Sequence, residues 1–390
     1  MITVAEALDR LFALAAPTGV ETVPLAEAGG RVLAEPVVAR RDQPPFPASA
    51  MDGYALKSVE ADPEAMFKVI GEARAGTRFE GRVGAGQAVR IFTGAPVPEG
   101  ADRVVIQEDV THTGDLITLA RSLDPGPYIR PAAMDFAVGD RLDAPRVLGP
   151  RDLALIAAMN AGTVTVARRP DVALIATGDE LVMPGEDPGP DQIIASNAFG
   201  LKAMLEAAGA RARLLPIARD DEASLKTVFG LAAGADLVVT IGGASVGDHD
   251  LVGAVAAELG MDQSFYKVAM RPGKPLMAGR LGAAAMVGLP GNPVSALVCG
   301  RIFLVPMIRA MLGLGAAPAA RLQAVLTEDI PANGPREHYM RAVVDGTGIG
   351  LLPAQDSALL TILARANALL VRPVSDPARA AGTLVDYVAL

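Results

Sequence analysis

Glycines and charged side chains follow several apolar runs in the middle of the chain. Asp179 and Glu180 come directly after DVALIATG, Asp220 follows RARLLPIAR, and the segment from Gly242 to Gly247 follows ADLVVTI. In an open parallel sheet, ligands bind beyond the carboxyl ends of the strands. If these runs are neighbouring strands, their polar groups meet at one edge of the sheet and form a site.

The glycine-rich segment GGASVG has the composition of a phosphate-binding turn. Its binding residues are predicted to be Gly242, Gly243, Ser245 and Gly247. Glycines let backbone N–H groups approach an anion, and the start of a following helix adds positive potential. The segment is neither a Walker A motif nor a dinucleotide GxGxxG motif. Taken alone it is more typical of a tight strand–helix turn. Three basic residues nearby favour a phosphate or another oxyanion instead: Lys267, Arg271 and Lys274.

Carboxylates accumulate at the same predicted edge. They are Asp179, Glu180, Asp220, Asp248 and Asp250, and Asp52 lies apart from them in the turn AMDGY. Oxygen ligands of this kind suit a hard cation such as Mg²⁺, which commonly bridges phosphates. For the single aspartates, a helix cap or a turn is the competing interpretation. Thr93 in FTGAP is an oxyanion donor by its chemistry, or part of a plain turn.

Composition restricts the class of protein. The chain has 390 residues, 51% of them hydrophobic and 4% aromatic, with a net charge of −9. No basic stripe with interleaved aromatics is present, so nucleic acid is not the expected partner. One cysteine, Cys299, and three histidines exclude a disulfide framework and a cysteine-rich zinc site. We expect Cys299 in the core, His112 and His338 on the surface, and His249 at most beside the site.

Two apolar segments are read as ordinary helices. Residues 2–15 lack the pattern of a secretory signal, and Thr3 and Glu6 have the spacing of a capping box. Residues 294–314 are strongly apolar but contain Arg301 and Arg309, which a membrane span rarely carries. The second segment is therefore predicted to be a buried core helix, and the protein is expected to be cytoplasmic with no membrane partner.

The order of patterns predicts a multidomain α/β plus β protein. Residues 1–45 and 141–170 form a discontinuous helix and strand domain, in which Val32–Ala39 is one strand, and residues 46–140 form an all-β insert. Residues 171–315 alternate strand and helix, which predicts a parallel sheet covered by helices on both faces. Residues 316–390 are predicted to be a small β domain.

Several motifs together resemble one family. They are PPFPASAMDGYA, IFTGAPVPEGADRVV, IRPAAMDFAVGD, ALIATGDEL, GGASVGDHD, RPGKP and GLPGNPVSA, in this order along the chain. They are similar to the molybdopterin molybdenumtransferase (MoeA) family, which includes the gephyrin E domain. The resemblance implies a molybdopterin-binding α/β domain and a homodimer. It also implies insertion of molybdate into adenylylated molybdopterin with release of AMP, assisted by Mg²⁺ or another divalent cation. A molybdopterin adenylyltransferase and molybdoenzyme apoproteins are the implied partners.

The resemblance also assigns residues by motif. It makes Asp52, Glu180, Asp220 and Asp250 catalytic, with Glu180 and Asp52 holding the metal. It assigns molybdate or oxyanion binding to Thr93, Arg130, Asp135, Pro290, Pro293, Arg341 and Ser357, the last two as looser matches. Lys267, Arg271 and Lys274 join the glycine turn in binding molybdopterin or phosphate. Because the insert carries Asp52, Thr93 and Asp135, we expect a composite site in the homodimer, with residues 46–140 of one chain covering the strand ends of residues 171–315 of the other.

The chain departs from the family at three points, and other functions stay open. Arg271 stands where lysine is usual, Ala133-Met134 replaces Gly-Glu, and Ala244 replaces a branched residue. Arginine keeps the charge but changes the geometry of an anion contact. The alternatives are nucleotidyl transfer onto molybdopterin, a non-enzymatic scaffold as in gephyrin, and a preference for tungstate.

Overall fold

The computed structural model describes residues 1–243 and 251–390. The chain folds into two compact units. One contains residues 1–21, 30–34 and 166–390, and the other contains residues 22–29 and 35–165. The chain leaves the first unit at residue 22, returns to it at residue 30, leaves it again at residue 35 and returns at residue 166.

The helices are α1 Val4–Leu14, α2 Pro150–Ala158, α3 Asn197–Ala207, α4 Glu222–Leu231, α5 Leu251–Glu258, α6 Pro293–Cys299, α7 Val305–Met311 and α8 Leu360–Arg365. Strands of the N-terminal part are β1 Val20–Pro24, β2 Val32–Leu33, β3 Val37–Val38, β4 Ala48–Ser49, β5 Gly53–Leu56, β6 Met66–Ala73, β7 Gln87–Ile91, β8 Arg103–Ile106, β9 Val110–Thr113, β10 Leu116–Leu119, β11 Ile129–Arg130, β12 Arg141–Leu142, β13 Arg146–Val147 and β14 Thr163–Ala167. Those that follow are β15 Asp171–Ala176, β16 Leu181–Val182, β17 Ile193–Ile194, β18 Arg211–Leu214, β19 Leu237–Ile241, β20 Met261–Lys267, β21 Met270–Arg271, β22 Pro275–Leu281, β23 Ala284–Leu289, β24 Leu322–Val325, β25 Glu337–Asp345, β26 Gly348–Leu351, β27 Ala368–Arg372 and β28 Leu384–Ala389.

The predicted strand Val32–Ala39 is wrong in its extent. The segment forms two short strands, β2 and β3, separated at Pro36. Proline has no backbone N–H to donate to a neighbouring strand, so pairing is interrupted there.

The unit that holds most of residues 35–165 is built on an all-β sheet, as expected for the insert. Its strands lie in the order β8-β5-β7-β6-β10-β9. Successive residues of β5 face opposite sides: Tyr54 and Leu56 join one apolar cluster, and Ala55 joins the other. This alternation is the two-residue period of a strand buried on both faces.

The other unit contains the α/β sheet, in the order β18-β15-β19-β23-β22-β20. The four strands from β18 to β23 are parallel, and apolar clusters lie on both of their faces. The predicted parallel sheet is present, but β22 differs from it and runs antiparallel to β20 and β23. The short connections on either side of β22 explain this, because a parallel pair needs a crossover of a dozen residues or more. Since two reversals restore direction, β20 still ends at the same edge as β23.

Both apolar helices were predicted correctly. Thr3 and Glu6 close the capping box of α1, with the Thr3 N–H donating to the Glu6 carboxylate over 2.8 Å. Within the described residues, Pro293–Met311 is the helical segment long and apolar enough to cross a membrane, and 78% of its most apolar window is buried inside the protein. Cys299 lies in this segment and is fully buried, as expected.

Residues 316–390 form a small β structure, as predicted, and one strand from outside this range, β21, joins its sheet. The sheet order is β21-β25-β27-β28-β24, with β26 also paired to β25. Strand β21 comes from the connection between β20 and β22 and pairs in parallel with β25. Tyr339, Leu369 and Val371 of this sheet belong to the same apolar core as the α/β sheet. The basic segment around Arg271 is therefore held between the two sheets.

Candidate functional site

A cavity of about 1110 Å³ opens at the carboxyl ends of β15, β19 and β23. Its volume is slightly above the usual range for small-molecule sites, roughly 300–1,000 Å³. The predicted site residues that line it are Glu180, Asp220, Gly242, Gly243, Pro290 and Pro293. The apolar runs predicted that residues at the strand ends meet at one edge of the sheet. The cavity shows these residues together, although they are far apart in sequence.

The turn after β19 can be built only from glycine at two positions. Gly242 and Gly243 have φ of 99° and 66°, which L side chains rarely adopt. A Cβ atom at Gly243 would lie 2.3 Å from Cγ2 of Val252, and one at Gly242 would lie 2.8 Å from the Thr177 carbonyl oxygen. The backbone of the turn therefore lies against both α5 and the end of β15. Ser245, Gly247 and Asp250, predicted to continue the site, lie outside the described residues.

The carboxylates at this edge divide into structural and free groups. Asp221 caps α4 by accepting the Ser224 N–H over 2.8 Å, and Asp179 accepts the Asp220 N–H over 3.1 Å. A capping role was the alternative interpretation of Asp220, and its neighbour Asp221 fills that role. Glu180 and Asp220 line the cavity. Glu180 folds back over Gly178, where a Cβ would lie 2.3 Å from its Oε2 atom.

The described part of the chain holds no group of three His, Cys, Asp or Glu side chains able to bind a metal ion. Two cavity carboxylates nevertheless match the way proteins bind Mg²⁺, through one or two carboxylates with water and substrate phosphate as the other ligands. The donor set at this edge therefore fits Mg²⁺ bound together with a phosphorylated ligand.

The three predicted basic residues flank the cavity without lining it. Lys267 is half-buried, with its ammonium 5.3 Å from the centre of the Tyr266 ring. Arg271 and Lys274 are exposed, and the next residue, Pro275, does line the cavity. Gly273, between them, has φ of 107°, and a Cβ atom there would lie 2.4 Å from the Sγ of Cys299. The backbone at Gly273 therefore packs too closely against Cys299 to accept a larger residue.

Arg341 is the most unusual charged residue among those described, because it is fully buried without an acidic partner. Its Nη2 donates to the carbonyls of Asp356 over 3.0 Å and of Ala354 over 3.3 Å. Its Nε and Nη1 have no hydrogen-bond partner in ranges 1–243 and 251–390. Burial lowers the pKa of this guanidinium from its ordinary value. An unpaired buried charge costs several kcal/mol unless a ligand supplies the missing partner.

The loop that holds Arg341 also reaches the cavity. Gln355 fixes the strand to the loop, since its Oε1 accepts the Arg341 N–H and its Nε2 donates to the Arg341 carbonyl, each over 2.9 Å. The Ser357 carbonyl accepts the Val294 N–H at the start of α6 over 3.0 Å, and Ala358 lines the cavity. Arg341 and Ser357, loosely matched in sequence, thus flank one loop at the border of the cavity.

The prediction that His338 is a surface residue is wrong. Its exposed fraction is 6%, and β25, which carries it, lies between β21 and β27 in the sheet. Nε2 of His338 is buried and has no hydrogen-bond partner in the part of the chain that the structure describes. The prediction failed because the charged residues in the sequence EHYMR are typical of an exposed segment. His112, by contrast, is exposed as expected and stacks on Tyr54 with 6.4 Å between ring centres.

The other unit carries the remaining predicted residues. Oδ1 of Asp52 accepts both the N–H and the hydroxyl of Thr93, each over 2.8 Å. These two bonds, with a smaller contribution from Arg90, lower the pKa of Asp52. The Thr93 hydroxyl proton is therefore directed to Asp52. Arg130 and Asp135 are exposed, and the Asp135 N–H donates to Gln43 over 2.9 Å.

Comparisons with known proteins cover nearly the whole chain. Residues 2–160 match the family described as MoeA N-terminal region (domain I and II), residues 173–310 match the probable molybdopterin binding domain, and residues 323–390 match the MoeA C-terminal region (domain IV). A molybdopterin molybdenumtransferase of Nostoc sp. is 36% identical over 91% of this chain and 85% of its own length. Molybdopterin molybdenumtransferase 2 of Mycobacterium tuberculosis is 37% identical over 93% of each chain.

A solved structure agrees with these sequence matches. The crystal structure of the molybdopterin biosynthesis MoeA protein from Pyrococcus horikoshii covers 100% of both chains with a TM-score of 0.86 and 27% identity. The similarity therefore extends across the whole described fold.

Proposed function

The chain belongs to the MoeA family, and we propose that it inserts molybdate into adenylylated molybdopterin, releasing AMP and molybdenum cofactor. Its relatives of 36% and 37% identity carry the name molybdopterin molybdenumtransferase. The substrates have in common that they are anionic: a tetrahedral dianion and a phosphorylated pterin. The site must therefore supply positive charge and hydrogen-bond donors in a chain whose net charge is −9.

The observation that carries the proposal is the buried guanidinium of Arg341. Two of its nitrogens lack partners, although a buried charge is stable only when it is paired. A tetrahedral oxyanion supplies both the charge and the acceptors. Ser357, on the loop that holds Arg341, would add a hydroxyl donor, and Pro290 and Pro293 would shape the adjoining wall.

The cavity is proposed to hold the phosphorylated pterin substrate. Backbone N–H groups of the turn at Gly242 and Gly243 would face its phosphate, and Lys267, Arg271 and Lys274 would balance its charge from the rim. Glu180 and Asp220 would hold Mg²⁺ together with the substrate phosphates. When bound, the cation would withdraw charge from the phosphoanhydride that is cleaved.

Residues of this chain would then contribute mainly by position and charge. Arg341 would bind and orient molybdate at a position from which water is excluded. Charge interactions are stronger there than in water. In the other unit, Asp52 would act as an ionised carboxylate, also proposed as a metal ligand, and Thr93 would hold it in place. Arg130, Asp135 and, outside the described residues, Ser245, Gly247 and Asp250 remain proposed binding or catalytic residues on the basis of their motifs.

The proposal is tested by incubating the purified protein with adenylylated molybdopterin, Mg²⁺ and molybdate. AMP and a molybdenum-containing pterin should appear in equal amounts, and both should depend on molybdate. If the protein instead forms adenylylated molybdopterin from ATP and molybdopterin, it is an adenylyltransferase. No turnover in either assay, with the substrate bound, would favour a scaffold.

We also propose that the protein acts as a cytoplasmic homodimer that receives its substrate from a molybdopterin adenylyltransferase and delivers product to apoenzymes. Sedimentation equilibrium would give the mass directly. A monomer at all concentrations that support turnover would contradict the dimer.

A further inference from the structure

A second group of basic residues lies on the opposite face of β25 from Arg341. His338 is paired in register with Arg271 on β21 and with Arg372 on β27. Residues paired in this way leave the sheet on the same face. Arg336 precedes the strand, and its Nη1 donates to the Met270 carbonyl over 3.5 Å, which places it beside β21. Three arginines from three elements thus surround one imidazole.

The charges of this group are not balanced. Arg372 is paired with Asp376 over 2.6 Å and donates to the carbonyls of Pro331 and Pro377. Neither Arg271 nor Arg336 forms an ion pair with any acidic residue in ranges 1–243 and 251–390.

The acidic residues nearby are already engaged. Asp376 also binds Arg379, and Glu337 points to the other face, where it accepts from Arg321 over 2.7 Å. His338 itself is about nine-tenths buried, with no partner for Nε2. The two arginines therefore carry positive charge that no carboxylate among the described residues balances, and the imidazole beside them has an Nε2 without a partner there.

We propose that Arg271, Arg336 and His338 form a binding site for a doubly charged oxyanion, and that binding is coupled to uptake of a proton by His338. The occupant is named by its chemistry: a tetrahedral oxyanion or a phosphate monoester. The inference deepens the proposed function, because both chemistries occur in its substrates, but it does not require turnover.

The proton coupling follows from the electrostatics of the group. Burial, followed by the charges of Arg271, Arg341, Arg336 and Arg372, lowers the pKa of His338 to about 4. An anion within hydrogen-bonding distance raises the pKa of a cationic group by about one to three units. Because the anion-bound form holds the extra proton more tightly, the affinity must rise as pH falls through the pKa of the bound state.

The chain is favourable for a direct measurement because it has only three histidines. With ¹⁵N-labelled histidine, each imidazole gives its own signals, and replacement of His338 by Gln assigns them. Sulfate is the probe, since it is a tetrahedral dianion whose charge does not change between about pH 5 and about pH 8, the range in which histidine titrates. We expect sulfate to shift the His338 signals in a saturable way and to raise its pKa. Its affinity should be about twofold to ninetyfold higher at about pH 5 than at about pH 8, for a rise in the His338 pKa of about one to three units.

Two variants and one control separate binding from structure. His338→Gln keeps a side-chain N–H donor but cannot titrate, so it should bind sulfate at high pH and lose the pH dependence. Arg336→Gln should weaken binding about tenfold or more at every pH, as expected for loss of a hydrogen bond to a charged group. His112→Gln, an exposed position in the other unit, should leave both quantities unchanged.

The two sources of the anion are distinguished by a second titration with AMP, which carries a phosphate monoester. Saturation of the His338 shift at lower concentration by AMP than by sulfate would assign the site to the ester phosphate, and the reverse order would assign it to a free oxyanion. The proposal is overturned if neither anion moves the His338 signals, or if the pH dependence survives in His338→Gln. Failure of AMP release in the activity assay would leave these results intact.

Discussion

Replacement of Arg341 by Met should separate binding from stability. The structure gives Nε and Nη1 no partner, so in the anion complex each is free to donate one hydrogen bond. Hydrogen bonds to charged groups contribute roughly 1.5–3 kcal/mol each, so two amount to roughly 3–6 kcal/mol. At about 1.4 kcal/mol per factor of ten, molybdate affinity should fall by about 10²- to 10⁴-fold.

Stability should respond differently. Met removes the two bonds from Nη2 to the loop carbonyls, but it also removes an unpaired buried charge whose desolvation costs several kcal/mol. These contributions oppose each other, and we expect the free energy of unfolding to change by less than ~1 kcal/mol or to increase.

Arg372 is the matched control. It is also buried, on the neighbouring strand, but it is paired with Asp376. Arg372→Met leaves that carboxylate with the more exposed Arg379 as its remaining partner and should cost up to about 3–5 kcal/mol. Equilibrium dialysis with molybdate and urea unfolding measure the two properties. Wild-type molybdate affinity in Arg341→Met, or a loss of stability as large as that of Arg372→Met, would refute the assignment of Arg341 to the ligand.

Three further results are expected. Glu180→Gln should lower AMP release by about 10²-fold while the protein stays folded, as for loss of a well-placed catalytic group, and near wild-type release would exclude that role. Gly243→Ala should lower the free energy of unfolding by ~1–3 kcal/mol, because its Cβ would lie 2.3 Å from Val252 at a φ of 66°; unchanged urea unfolding would show that the turn adapts. The pKa of Asp52 is lowered by its bonds from Thr93. That stabilisation is therefore complete above the ordinary carboxyl pKa and is lost as pH falls through the lower folded value; the Thr93 amide signal in NMR should change there and not at higher pH.

Elements that depend on a few neighbouring residues could be predicted from local sequence patterns. Thr3 and Glu6 predicted the capping box because both partners lie within one turn. The two arginines in 294–314 predicted a buried helix, and the helix is buried. Strand β22 was missed because its sequence, PLMAGRL, has no alternation of apolar and polar residues and is joined to β23 by a short turn. Nothing within those seven residues specifies direction, which depends on the lengths of the connections.

The contents of the site were harder to predict because they depend on pairing between distant strands. The glycines and Glu180 were found, since they follow apolar runs directly. His338 looked like a surface residue, since its neighbours in sequence are charged. Its actual neighbours are Arg271 and Arg372, which lie 67 and 34 positions away by residue number and become adjacent through strand register. No local pattern contains that information.

The difference between Arg341 and Arg372 shows how this acidic chain can hold anions. The net charge of −9 gives no average attraction for a dianion, so the attraction must be local. Arg372 has its own carboxylate and is satisfied without a ligand, whereas Arg341 is equally buried and is not. Folding bears the cost of dehydrating the Arg341 guanidinium before the anion arrives, so that cost no longer weakens binding. A carboxylate beside Arg341 would stabilise the free protein but compete with the anion. If Arg341 binds the anion as proposed, the absence of an acidic partner for it among the described residues is the feature on which that binding depends.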